Sequence, residues 1–136
     1  MPDTSALHSA SDALAAGRQV QSGRIRTISE NLANADSAAE TPGGVPYARK
    51  IAVFTPVVAD SPRDPVGRVV RDTSAFRTRY DPSSAAADSR GYIRLPNVNA
   101  ATETADLQTV VRNYEANLSA SGILDGLTQA TINLLS

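Results

Sequence analysis

Residues Leu7, Ala10, Leu14, Gly17, Gln21, Ile25, Ile28 and Leu32 follow one another at steps of three or four and form a single stripe through the first arm of the chain. That period is the signature of an amphipathic helix. Asp3 or Thr4 is placed to cap its start, and Asn34-Ala35-Asp36-Ser37 followed by Thr41-Pro42-Gly43-Gly44 to stop it, so a helix is predicted over about residues 5–33. The last arm repeats the design with Leu107, Val110, Val111, Tyr114, Leu118, Ser121, Leu124, Thr128, Ile132 and Leu135. Thr102 or Thr104 is the expected cap, and Glu103 and Asp106 lie near the positive end of the helix dipole. The middle alternates instead: Ile51, Val53 and Thr55; Phe76, Thr78 and Tyr80 with Arg77 and Arg79 between; Ile93 and Leu95 flanking Arg94. These are short strands with one solvated face, on which Arg77 is expected to be a dispensable charge.

The predicted fold class is α+β, with long N- and C-terminal helices forming a coiled-coil-like pair around a small irregular β element. The divisions fall at residues 1–40, 41–96 and 97–136. Proline draws the same lines, because apart from Pro2 every proline lies between Pro42 and Pro96. Both stripes are thin. They include Gly17, Gln21, Ser121 and Thr128, and the helices also carry Gly23, Gly122 and Gly126. Interior glycine costs about 1 kcal/mol relative to alanine. Helices of this kind are suited to lengthwise packing against other long helices, and a charge placed at Leu118 or Leu124 is expected to fall in a buried seam.

Charge and composition narrow the chemistry. The 136 residues carry 13 Lys plus Arg against 14 Asp plus Glu, which excludes a polybasic chain, although nine of the cations fall in the middle part against five Asp. That middle offers the one alternative of another class, a small nucleic-acid-binding protein. With no Cys and one histidine, His8, a metal site would have to rest on carboxylates, and a disulfide scaffold is excluded. Asp60 and Asp64 sit in a proline-rich turn with nothing apolar around them to make an acid/base pair. Ser83 and Ser84 lack the context of a nucleophile, and Asn117-Leu118-Ser119 lies inside a predicted helix, where an acceptor for glycosylation is out of place. No enzyme, cofactor or metal is expected. Nor is a cleaved secretory signal or a membrane span.

Three stretches sharpen the reading. Ser29-Glu30-Asn31-Leu32-Ala33-Asn34-Ala35-Asp36-Ser37 closes the first helix, and Tyr47-Ala48-Arg49-Lys50 leads into the strand from Ile51 to Phe54. Tyr80-Asp81-Pro82, then Ala87 through Asn99 with Gly91-Tyr92-Ile93-Arg94-Leu95-Pro96-Asn97-Val98, then Arg112-Asn113-Tyr114-Glu115-Ala116-Asn117, complete the set. Together, in order and over the whole chain, they resemble the bacterial flagellar rod, hook and hook-filament junction proteins. The short middle suits the proximal rod members, since larger members carry inserted domains. Glu30 stands where the family usually has a polar uncharged residue, and Thr104 where Met is common.

The resemblance implies a structural subunit of the proximal rod, partnered by copies of itself and other rod proteins. It also implies export in the unfolded state by the flagellar type III apparatus without a cleaved signal, and a periplasmic rod location. The expected subunit-interface residues are Leu14, Ile25, Ile28, Asn31, Leu32, Asn34, Tyr92, Pro96, Asn97, Arg112, Tyr114, Asn117, Leu118 and Leu124. For Asn31 and Asn34, spacing leaves two roles open: satisfying the last helix carbonyls, or bridging to a neighbour. Pro96 is expected to fix the backbone before Asn97, whose side chain would turn the chain into the last helix.

Overall fold

A computed structural model of the chain describes residues 4–54 and 68–135. Helix α1 spans Thr4–Ala33; strands β1 (Lys50–Val53), β2 (Arg68–Arg71), β3 (Arg77–Tyr80) and β4 (Tyr92–Leu95) follow, and helix α2 spans Ala100–Leu135. The α+β class with two long terminal helices packed on each other is the one the periodicity predicts. Asp3, Thr55, Asp60 and Asp64 lie outside the described residues, as do the side chains of Thr4 and Leu135.

The strands form two separate antiparallel hairpins, β1 with β2 and β3 with β4. Lys50 pairs with Arg71 in the first, and Tyr80 with Tyr92 in the second. Strand β2 was not anticipated, because Arg-Val-Val-Arg is too short to show alternation. At the tip of the second hairpin Gly91 has φ of 84°, and a Cβ there would come within 2.8 Å of the Tyr80 ring. Only glycine meets both conditions. The Tyr80 and Tyr92 rings meet edge to face at 5.3 Å.

Buried apolar side chains gather at one end of the helical pair. Ile28 and Val110 from the helices, Ile93 and Leu95 from β4, and Val98 before α2 are buried there with Ala35, Ala39 and Ala86. Strand β4 shows why alternation matters: Ile93 and Leu95 point in, while Tyr92 and Arg94 point out. Each fully buried Val, Leu or Ile contributes about 1.5–3 kcal/mol, so this base holds most of the fold's hydrophobic stabilisation.

Away from the base the two helices run antiparallel over a seam of a different kind. Gly17 faces Asn117, whose Nδ2 would lie 2.9 Å from a Cβ at position 17, and the Arg18 guanidinium donates to the Ser121 hydroxyl. Among the half-buried or buried positions of α2, Glu103, Leu107, Val110, Tyr114, Asn117, Ser121, Leu124, Thr128 and Thr131 are spaced four and three in turn, with Asp106, Val111 and Ala120 half-buried beside them. This is a heptad seam, and it departs from the stripe read from the sequence at two places. Asn117 occupies the position expected for Leu118, and Thr131 that expected for Ile132. The sequence reading chose the most apolar residue at each turn, whereas a rigid helix continues its geometric row whatever the residues are. Leu118 is 55% exposed, so in the isolated chain a charge there meets water rather than a buried seam.

The expected start of α2 also moves. Asn99, not Thr102 or Thr104, is the cap: its Oδ1 accepts from the N–H groups of Ala101 and Thr102 at 3.1 and 3.2 Å. Thr104 instead donates back to the Ala100 carbonyl at 2.7 Å.

Arg77 is not the dispensable charge expected of it. Its Nε donates to the Pro96 carbonyl at 2.9 Å and its terminal amine to the Ala35 carbonyl at 2.7 Å. Those are orphan carbonyls beyond the last turn of α1 and before α2, so one guanidinium ties together the two helix ends and the second hairpin. Alternation placed Arg77 correctly on the outer face of β3. It was silent on what stands opposite that face.

Candidate functional site

The most organised polar cluster among the described residues lies where the base of the helical pair meets the first hairpin. Asn31, in the last turn of α1 and almost fully buried, spends its whole hydrogen-bonding capacity there. Its Nδ2 donates to the Lys50 carbonyl at 2.9 Å and to Glu103 Oε2 at 3.1 Å. Its Oδ1 accepts from the Lys50 N–H at 2.8 Å and from the Tyr47 hydroxyl at 2.9 Å. The carboxamide therefore bonds both backbone groups of Lys50 as a neighbouring strand would, closing the outer edge of β1. No donor or acceptor of this asparagine is left over.

Glu103, 1% exposed, belongs to the first turn of α2 on the seam side. Arg49 Nε donates to its Oε1 at 2.5 Å, and the same guanidinium lies 3.5 Å from Asp72. A buried carboxylate is tolerable only with such partners. Burial alone would lower the Arg49 pKa, but the hydrogen bonds and charges of Glu103 and Asp72 outweigh it and carry the value above that of free arginine. Asp72 is held below the usual carboxylate range, chiefly by hydrogen bonds from Ser74 and then by Arg49. Lys50 completes the cluster by pairing with Glu30, the residue that departs from the family pattern.

Asn97 does for the neighbouring residues what Asn31 does for Lys50. Its Oδ1 accepts from the Arg49 N–H at 2.7 Å, and its Nδ2 donates to the Asp72 and Ser74 carbonyls at 3.2 and 3.0 Å. It thus joins the two strands of the first hairpin to the entry of α2, a different task from the turn expected of it. Asn34 performs the capping role, its Nδ2 donating to the Glu30 carbonyl at 2.8 Å. Of the two roles left open for the paired asparagines, Asn34 takes the first, while Asn31 bridges elements within its own chain.

The remaining sequence-derived candidates are scattered along the pair. Ile28 and Pro96 are buried; Leu14, Ile25, Leu32, Tyr114, Asn117 and Leu124 are half-buried; Tyr92, Arg112 and Leu118 are exposed. Leu124 lines a groove of about 320 Å³ between the far ends of the helices, with Leu7, Thr128 and Ile132. His8 lies on the rim of the same groove, and no group of three metal-ligating side chains occurs among the described residues. Sequence reasoning missed Glu103, Arg49 and Tyr47 as one cluster. The available signal was an acidic residue on the apolar heptad row, which calls for a cation from elsewhere.

Chemically this cluster fixes geometry. It has no nucleophile paired with a base, and Asp88, the other carboxylate held below its usual range, owes that to the N–H groups of Tyr92 and Arg90 in a turn. Sliding α1 against α2 by one residue would break the Asn31–Glu103 bond that joins the two helices directly, leaving buried groups on both without a partner, so the network favours one register. Tyr47 reports on it. Burial, with Glu30 and Glu103 nearby, pushes its phenol up to about 12. A raised phenol contributes stability that is complete below the ordinary value near 10 and is lost as the pH rises through 12. In an ultraviolet titration of the four tyrosines, one is therefore expected to ionise last, coincident with alkaline unfolding, and Tyr47→Phe removes that step.

Comparison with known proteins gives this arrangement a context. Residues 89–134 match the family described as Flagellar basal body rod FlgEFG protein C-terminal. The chain is 40% identical over 132 residues to the flagellar basal-body rod protein FlgC of Agrobacterium fabrum, covering 95% of each chain. It is 36% identical over 130 residues to that of Aquifex aeolicus, covering 92% of this chain and 94% of the relative. With that of Salmonella typhimurium the identity is 32% over 117 residues, covering 84% and 87%. The motifs at the end of α1, the polar junction they build and the start of α2 all fall within one alignable length, and the chain belongs to the flagellar basal-body rod protein FlgC family.

Proposed function

We propose that this chain is a non-enzymatic structural subunit of the proximal rod, assembling with copies of itself and other rod proteins into the drive shaft that crosses the periplasm. The observation that carries the reading is the match over 95% of both chains to a relative named as a basal-body rod protein. The architecture supports it: two long antiparallel helices, locked in one register at the base, form a stiff unit suited to transmitting torque. In the basic middle, Arg49, Lys50, Arg77 and Arg79 each face a carboxylate. Four of the nine cations of that middle are thereby drawn into contacts within the chain, which favours the structural reading over a nucleic-acid track. Tyr92, Arg112 and Leu118 are the interface candidates with an outward surface, of types suited to anchoring a neighbour. Export by the flagellar type III apparatus accompanies this role.

Deletion of the gene in a motile host is the direct test. Loss of swimming in soft agar, restored by the gene in trans and accompanied by basal bodies lacking a rod, is expected. A deletion strain that builds complete flagella overturns the reading.

A further inference from the structure

The seam that joins α2 to α1 uses one row of α2, and α2 carries a second. Ala116, Ala120, Ile123, Leu127, Ala130 and Leu134 are also spaced four and three in turn, the repeat of a coiled-coil seam. The large members of this row are open to solvent: Ile123 is 75% exposed, Leu127 55% and Leu134 88%. The row is more apolar than the one already filled, where Asn117, Ser121, Thr128 and Thr131 stand. No charged residue interrupts it. A helix apolar on two sides has a use for two partners, and its own chain supplies one.

Resting on the rod reading above, we propose that this second row of α2 is covered by helix α1 of a second copy of the chain. Three observations favour that occupant. The strict heptad spacing calls for another long helix, and this chain makes one. Among the described residues α1 exposes no large apolar side chain, but it exposes Ala6, Ala10 and Ala13 at the same four-and-three spacing. Small positions of that kind accept large side chains, so Ile123, Leu127 and Leu134 are the knobs and the alanine row the holes. Finally, the three large side chains present roughly 400 Å² together, about half of the ~800 Å² per partner of a stable complex. The contact is too small to hold a free dimer and suffices only where each copy has several neighbours. Different surfaces meet on the two copies, which makes the contact heterologous and extends an assembly rather than closing a pair.

The absence of cysteine from the chain makes the test clean. Two full-length versions, Leu127→Cys and Ala10→Cys, are expressed together in the deletion strain, and isolated basal bodies are oxidised. A disulfide joining one version to the other is expected, and it arises only between copies. Bodies that yield no cross-link, or only Leu127→Cys joined to itself, overturn the proposal. In parallel, Leu127→Asp is expected to abolish swimming while the purified chain keeps its circular dichroism and melting temperature, because position 127 faces water in the isolated molecule. A Leu127→Asp strain that swims while the deletion strain does not sinks this contact and leaves the rod assignment standing. A deletion strain that swims sinks the assignment itself.

Discussion

Glu103→Ala is expected to destabilise the isolated chain by about 3–5 kcal/mol, the loss seen when one partner of a buried ion pair is removed. Two groups are stranded by that change: Arg49 loses the carboxylate 2.5 Å from its Nε, and Asn31 Nδ2 loses an acceptor at 3.1 Å. The comparison that isolates the effect is Asn34→Ala. Asn34 is three residues from Asn31 on the same helix end, but its side chain satisfies only the Glu30 carbonyl, a partly solvated group. Its removal should cost about 1 kcal/mol or less. Urea unfolding of the three proteins, read by circular dichroism, gives the ranking wild type, Asn34→Ala, Glu103→Ala. Equal midpoints for the two variants would show that the junction carries no more stability than an ordinary helix cap. The effect in the cell should be larger than a monomer stability loss alone, because the helices of each subunit would also lose their fixed register.

Arg77→Ser provides the second large effect, about 1–2 kcal/mol, from the loss of two charge-assisted bonds to backbone carbonyls at a partly exposed site. Its neighbour Arg79 is the control. Arg79 shares the strand and the outward face, yet it meets only Asp81 at 3.7 Å, with its side chain more than half exposed. Arg79→Ser should therefore stay within about 0.5 kcal/mol. Amide hydrogen exchange sharpens the distinction: protection around Ala35 and Ala39 falls in Arg77→Ser, because Ala39 donates to the Arg94 carbonyl from a loop that Arg77 helps to hold. If the two serine variants behave alike, the guanidinium contacts at Ala35 and Pro96 are energetically idle. Arg77→Lys, with a single point charge in place of a planar fork, should recover only part of the loss.

Local regularities are legible in the sequence alone. A stripe at steps of three and four, interrupted by no proline, was enough for both helices. The predicted span of α1, about residues 5–33, lies within a residue of Thr4–Ala33. Alternation located β1, β3 and β4, since a strand with one wet face must alternate. The order of the motifs along the chain carried the family. Where residues of mixed character competed for a row, as Asn117 with Leu118 did, composition misled. The backbone of a rigid helix determines which residue faces the partner, and hydrophobicity only determines whether that residue is welcome.

Tertiary structure alone decided the pairing of polar groups across long separations. Asn31 lies 72 residues from Glu103, and Arg77 lies 42 residues from Ala35. Nothing in the neighbourhood of any of these residues names its partner. A buried polar side chain announces that it needs a partner, because desolvation without one is costly. Which partner it receives depends on where two distant elements pack. Periodicities that act over one or two turns thus determined the two helices and three of the four hairpin strands, and the order of the motifs along the chain determined the kinship to rod proteins. The register of the helical pair, the clamp at Arg77 and the uncovered second row of α2 follow from how those elements meet, because directional bonds and shared surfaces exist only once both sides are in place.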